Sequence, residues 1–171
     1  MTTRAVRLVD QLRFTRSEWE RGLRGVKEAE ALRRIEPMNS IGWIVAHMAW
    51  HEQRYWLTRA QGSTPYPILN EVAANGGPAT TPKLREMRLA WTAVTEAADP
   101  WLDGLSAADL LADLPGSGPP RRIGDSLQRV IYHYWFHTGE IQGIRQVLGH
   151  RRLPQFVGDL DDQAPYRRDT D

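Results

Sequence analysis

Apolar residues recur along this chain at three- and four-residue steps, a period that predicts helices rather than strands. Val6, Val9, Leu12, Trp19, Leu23 and Val26 mark a first helix over residues 4–29. Asn39-Ser40 is suited to capping a second helix, which carries Ile41, Ile44, Val45, Met48 and Tyr55 and runs to Ala60, before Gly62. A third helix is expected from Thr81-Pro82 to Leu102, with proline in its first turn. The fourth is the clearest: Gly124-Asp125 reads as loop and cap, Val130, Tyr134, Ile141, Ile144 and Leu148 form the stripe, and Gly149 closes it.

The connections have the opposite character. Residues 62–80 are broken by Gly62, Pro65, Pro67, Gly76, Gly77 and Pro78, leaving room for one short helical turn. In residues 103–124, Ser106-Ala107-Ala108-Asp109 looks like the start of a short helix, and the Pro115–Pro120 stretch then breaks it. The expected fold is all-α: a four-helix bundle with long connections between helices two and three and between helices three and four. The bundle should occupy residues 1–157, followed by a polar tail over 158–171.

Composition narrows the function. The chain has 171 residues, enough for one domain, and its seven Trp, five Tyr and three Phe supply a core. A net charge of +1 argues against a nucleic-acid binder. No apolar run is long enough to span a membrane, and Met1–Arg7 leads into charged sequence rather than an apolar signal core. The chain lacks cysteine, which excludes a disulfide framework, a thiolate metal site and a cysteine nucleophile, and is compatible with a reducing cytoplasm. A cytoplasmic protein is expected. No phosphate-binding glycine loop, dinucleotide fingerprint or G-x-S-x-G elbow occurs. His51-Glu52 opens like a zincin helix, but Tyr55 stands where that motif needs a second histidine.

The candidate chemistry lies in the histidines. Four of the five form two i, i+4 pairs, His47/His51 on helix two and His133/His137 on helix four. Residues four apart share a helix face, so each pair can converge on one ion. His137 is in line with the apolar stripe of helix four, and His47 is at the edge of the stripe on helix two. Two readings stand side by side here: a metal site built from facing helices, or half-buried histidines satisfied by neighbouring polar groups. Trp50, Tyr55, Trp56, Tyr132, Tyr134 and Trp135 flank them and are read either as helix-packing aromatics or as the walls of a pocket.

The segment Asn39-Ser40-Ile41-Gly42-Trp43-Ile44-Val45-Ala46-His47 resembles the N-S-I-G-W-x-x-x-H start of the second helix in DinB-like proteins. His133-Tyr134-Trp135-Phe136-His137-Thr138-Gly139-Glu140-Ile141 resembles that family's H-x-x-x-H-x-G-E-I helix, and Arg145 continues the match. The resemblance implies a bundle holding one divalent metal through His47, His133 and His137, with zinc favoured and nickel or iron as alternatives. It also implies a thiol S-transferase or isomerase joining a small electrophile to mycothiol, bacillithiol or another low-molecular-weight thiol. A chain without cysteine would obtain its sulfur nucleophile in this way. Metal-dependent hydrolysis, with Glu52 or Glu140 as general base, is one alternative; a non-catalytic ligand-binding bundle is the other. Glu140 is otherwise read as orienting a ligand, and His51 as a pocket-lining, supporting or surface residue. A small-molecule substrate is expected, and a homodimer formed through the amphipathic first helix.

Overall fold

The computed structural model describes residues 6–157 and 159–167, and the regular structure among them is helical, apart from one isolated antiparallel bridge between Asp113 and Arg122. Helix α1 (Arg7–Leu23) buries Val9, Leu12, Trp19 and Leu23 at the expected period. It stops six residues before the expected end because Gly25 takes a positive φ of 78°, which turns the chain out of the helix. These apolar residues pack inward, largely against the last long helix.

A short α2 (Glu28–Ala31) follows, and its Glu28 acts on another element. The Glu28 carboxylate accepts from the backbone N–H groups of Leu84 and Arg85, at 2.8 and 3.1 Å. These are orphan donors at the start of α5 (Leu84–Asp103), so a carboxylate distant in sequence, rather than Pro82, caps that helix.

Helix α3 (Ile41–Glu52) begins as expected, with the Ser40 hydroxyl accepting from the Trp43 N–H at 3.1 Å. All twelve of its residues are buried, so the expected single stripe is instead a helix enclosed on every side. Packing against α5 is close: a Cβ built on Gly42 would lie 2.2 Å from the Pro82 carbonyl oxygen. The helix continues to Ala60 as expected, but residues Gln53–Arg59 widen into π-helical turns. Connection 62–80 contains α4 (Ile68–Val72), anchored by the buried Leu69.

Connection 103–122 holds only a 3₁₀ turn, Asp109–Leu111, opened by mutual Ser106–Asp109 hydrogen bonds. Helix α6 (Ile123–Val147) follows with Arg122 at its N-cap position, so Gly124 and Asp125 fall inside the first turn rather than before it. Gly149, at φ 90°, ends it. Beyond it, α7 (Leu160–Gln163) returns to the body of the protein, where Gln11 donates to the carbonyl of the buried Ala164 at 2.8 Å.

One buried network ties α1, α3, α5 and α6 together. Arg16 of α1 grips Glu52 of α3 in a two-pronged pair, Nε to Oε1 at 2.8 Å and Nη2 to Oε2 at 2.7 Å. Tyr134 of α6 donates to Glu52 Oε1 at 2.8 Å and accepts from the Trp91 indole N–H of α5 at 2.6 Å. Asp99 of α5 accepts from the remaining arm of Arg16 at 2.8 Å. Burial alone would lower the Arg16 pKa, but Glu52, Tyr134 and Asp99 together hold it above its ordinary value. Burial, then the Glu52 charge, raises the Tyr134 phenol, which therefore remains a donor.

Glu52→Ala would leave Arg16 buried beside only the half-buried Asp99, and is expected to destabilise the protein by about 3–5 kcal/mol. Tyr134→Phe removes one donor and should cost about 1–2 kcal/mol. Urea unfolding of both variants checks the order; equal losses would show that the carboxylate is not the centre of the network.

Candidate metal centre

Helices α3 and α6 bring His47, His133 and His137 together, with one ring nitrogen from each lying within 4.8 Å of the others. The His47 ring is 5.0 Å from that of His133 and 5.3 Å from that of His137. His47 is fixed from three directions. Trp43 stacks on it at 4.7 Å, Trp50 flanks it at 5.5 Å, and its Nδ1–H donates to the Ala73 carbonyl at 2.8 Å. Ala73 immediately follows α4, so the short turn in connection 62–80 orients this histidine.

His137 is oriented similarly, with its Nδ1–H donating to Glu140 Oε2 at 2.7 Å. Both rings therefore carry their proton on the outer nitrogen and turn the Nε2 lone pair inward, an orientation characteristic of metal-ligating histidine. His133 Nε2 lies only 2.9 Å from His137 Nε2, and the other His133 nitrogen is buried without a partner. Two nitrogens on one tetrahedral ion at ordinary bond lengths stand roughly 3.3 Å apart. With one ring nitrogen of each histidine converging on the others, the donor set suits a divalent cation.

Burial keeps His47 and His133 neutral. Burial, only partly offset by the Ala73 hydrogen bond, lowers the His47 pKa to about 4. Burial and the neighbouring His137 and His47 lower His133 to about 3. His51 is pushed down to about 2, chiefly by burial and then by His133, His47, Arg54 and Arg129.

Of the three roles open to His51, pocket wall, supporting partner or surface residue, the structure gives it the first. This histidine is buried, its ring lies 4.2 Å from that of His133, and its Nδ1 has no partner. With His47 and His133 it lines a cavity of about 760 Å³. Glu52 requires a correction: its carboxylate is committed to Arg16 and Tyr134, which removes it as a free general base. Glu140 holds His137 instead of standing free. The aromatics divide between the two readings. Trp50, Tyr55 and Tyr132 line the cavity, Trp56 and Tyr134 are core, and Trp135 packs near Phe14 and Phe156. Arg54, Arg121 and Arg129 also line the cavity, and the sequence reading did not single them out.

Because an unfolded histidine titrates near 6.5, the unfolded chain binds more protons than the folded one below that pH. The stabilisation is complete above pH 6.5 and is lost as pH falls toward the folded values of about 4 for His47 and about 3 for His133. Metal-free protein should lose urea stability between pH 7 and 5, by up to about 1.4 kcal/mol per pH unit for each histidine. A His133→Gln variant should show a shallower slope; identical slopes would mean that His133 is not buried neutral.

The sequence profile of the DinB superfamily matches residues 11–141. No curated protein matches the chain. Among solved structures, a conserved protein from Enterococcus faecalis is similar in fold, with a TM-score of 0.57 and 16% identity over 84% of this chain and 96% of that one. At that identity the likeness concerns the fold alone. With the profile covering most of the chain, including His47, His133 and His137, the protein belongs to the DinB superfamily.

Proposed function

We propose that the protein is a divalent-metal-dependent thiol S-transferase or isomerase that joins a low-molecular-weight thiol, such as mycothiol or bacillithiol, to a small electrophile. The observation that carries this reading is the convergence of three imidazoles beside a cavity large enough for a small molecule. In this reading α1, α3 with its π-helical extension, α5 and α6 constitute a four-helix bundle domain over residues 1–157, and residues 158–171 are a polar C-terminal tail. His47, His133 and His137 are the metal ligands, with zinc preferred over nickel or iron. A closed-shell ion accepts three imidazoles without imposing a geometry of its own.

A divalent ion held by three histidines keeps a coordination position open and, when bound, favours ionisation of a thiol at neutral pH. The protein's own residues supply the rest. Ala73 and Trp43 fix the His47 ring, and Glu140 fixes that of His137, so little reorganisation is needed when substrate arrives. Trp50, Tyr55 and Tyr132 give the cavity apolar surfaces for the electrophile. Hydrolysis is disfavoured because both candidate bases are engaged, Glu52 with Arg16 and Glu140 with His137. The exposed Phe136 and Val147 on α6 support a homodimer, and the absence of cysteine supports a cytoplasmic setting.

Untagged protein should contain about one divalent ion per chain, and His133→Ala/His137→Ala should contain none, by elemental analysis. Glu140→Gln should weaken metal affinity about 10- to 100-fold while leaving the ligands in place. Turnover of an electrophile should require added thiol. Undiminished turnover in its absence would point to hydrolysis, and metal binding without any turnover would leave a ligand-binding bundle.

A further inference from the structure

Three cationic side chains line the cavity beside the histidines, each from a different part of the fold. Arg54 comes from the π-helical segment, Arg121 from the end of the connection before α6, and Arg129 from α6 itself. None of them pairs with a carboxylate among the described residues, whereas Arg13, Arg16, Arg21 and Arg34 all do. Arg54 is held over the face of Trp50, its guanidinium carbon 5.2 Å from the ring centroid, which positions the charge without neutralising it. Asp125 is the single acidic residue of the lining, so the wall carries an excess of two positive charges. Asn75 and Gln128 add neutral amide donors to the same wall.

Unpaired guanidinium groups with amide donors nearby form the arrangement that recognises planar or tetrahedral oxyanions. The aromatic surfaces of Trp50, Tyr55 and Tyr132 suit an apolar or unsaturated body beside that anion. We infer that Arg54, Arg121 and Arg129 form an oxyanion subsite, binding the carboxylate or phosphomonoester of a small molecule whose other end lies against His47 and His133. The inference deepens the function proposed above by naming a substrate class, and it rests on that reading only for the reactive end.

The subsite can be tested without metal, by calorimetric titration of chelator-treated protein with succinate, with methyl phosphate and with uncharged succinamide. Binding of either anion but not of succinamide is expected, weakening as sodium chloride is raised. The better-bound anion tells whether the natural ligand carries a carboxylate or a phosphomonoester. Arg129→Gln should raise the Kd about tenfold and Arg121→Gln/Arg129→Gln about a hundredfold. Arg88→Gln on α5, away from this cavity, should change nothing. No binding of either anion up to about 50 mM, equal affinity for succinamide, or wild-type affinity in the arginine variants would overturn the inference. Intact anion binding in a protein that takes up no metal would remove the metal-dependent function and leave the subsite; the converse would leave the metal centre alone.

Discussion

Glu52 is fully buried, and a buried carboxylate persists only where opposite charge and hydrogen bonds replace the water it has lost. Here the replacements come from Arg16 on α1 and Tyr134 on α6, with Trp91 on α5 extending the chain of bonds. Each partner fixes a helix rotation as well as a distance, because a bidentate guanidinium and a directed phenol tolerate little turning about the helix axis. Glu52 follows His47 on the same helix, and Tyr134 lies between His133 and His137. The contact that joins α3 to α6 in the core is therefore in register with the histidine cluster, and rotating either helix to separate the histidines would break the Glu52–Tyr134 bond.

The network and the cluster make opposite electrostatic choices. In the network, burial is answered by charge pairing, so Arg16 and Glu52 interact as an ion pair. In the cluster, burial is answered by neutrality: His47, His51 and His133 are all pushed well below their ordinary pKa, and each would be repelled by the others if protonated. Neutral imidazoles facing one another leave lone pairs and orphaned nitrogens without partners, a state that a folded interior seldom keeps unless a ligand completes it. The two choices are complementary. The ion pair gives rigidity, and the neutral cluster gives coordinating capacity at a fixed place.

The sequence carried the local part of this arrangement well. Ser40 as an N-cap, the helical periods of α1 and α6, and the two histidine pairs at i, i+4 all depend on neighbours within a turn or two, and such signals are written in the order of residues. What the sequence did not reveal depends on tertiary contact. The enclosure of α3 on every side erased the distinction between stripe and edge on which the placement of His47 and His51 rested. The cap of α5 comes from Glu28, in a different element. The pairing of Glu52 with Arg16 converts a candidate base into a structural residue, and no local pattern announces it. Arg54 is separated in sequence from Arg121 and Arg129 by α4 and α5, and all three look like ordinary surface charges until the fold collects them.

The charge of the cavity follows from the same division. Three histidines held neutral contribute no positive charge, so the field at the mouth is set by the arginines against the single Asp125. Arginine keeps its charge at any physiological pH, whereas a histidine-lined mouth would gain and lose attraction as it titrated. The arginines' charge at this mouth does not vary with physiological pH, while His47, His51 and His133 beside it stay neutral. Fixed charge and neutral imidazoles are thereby assigned to different residues, and neither depends at neutral pH on a change of protonation in the other.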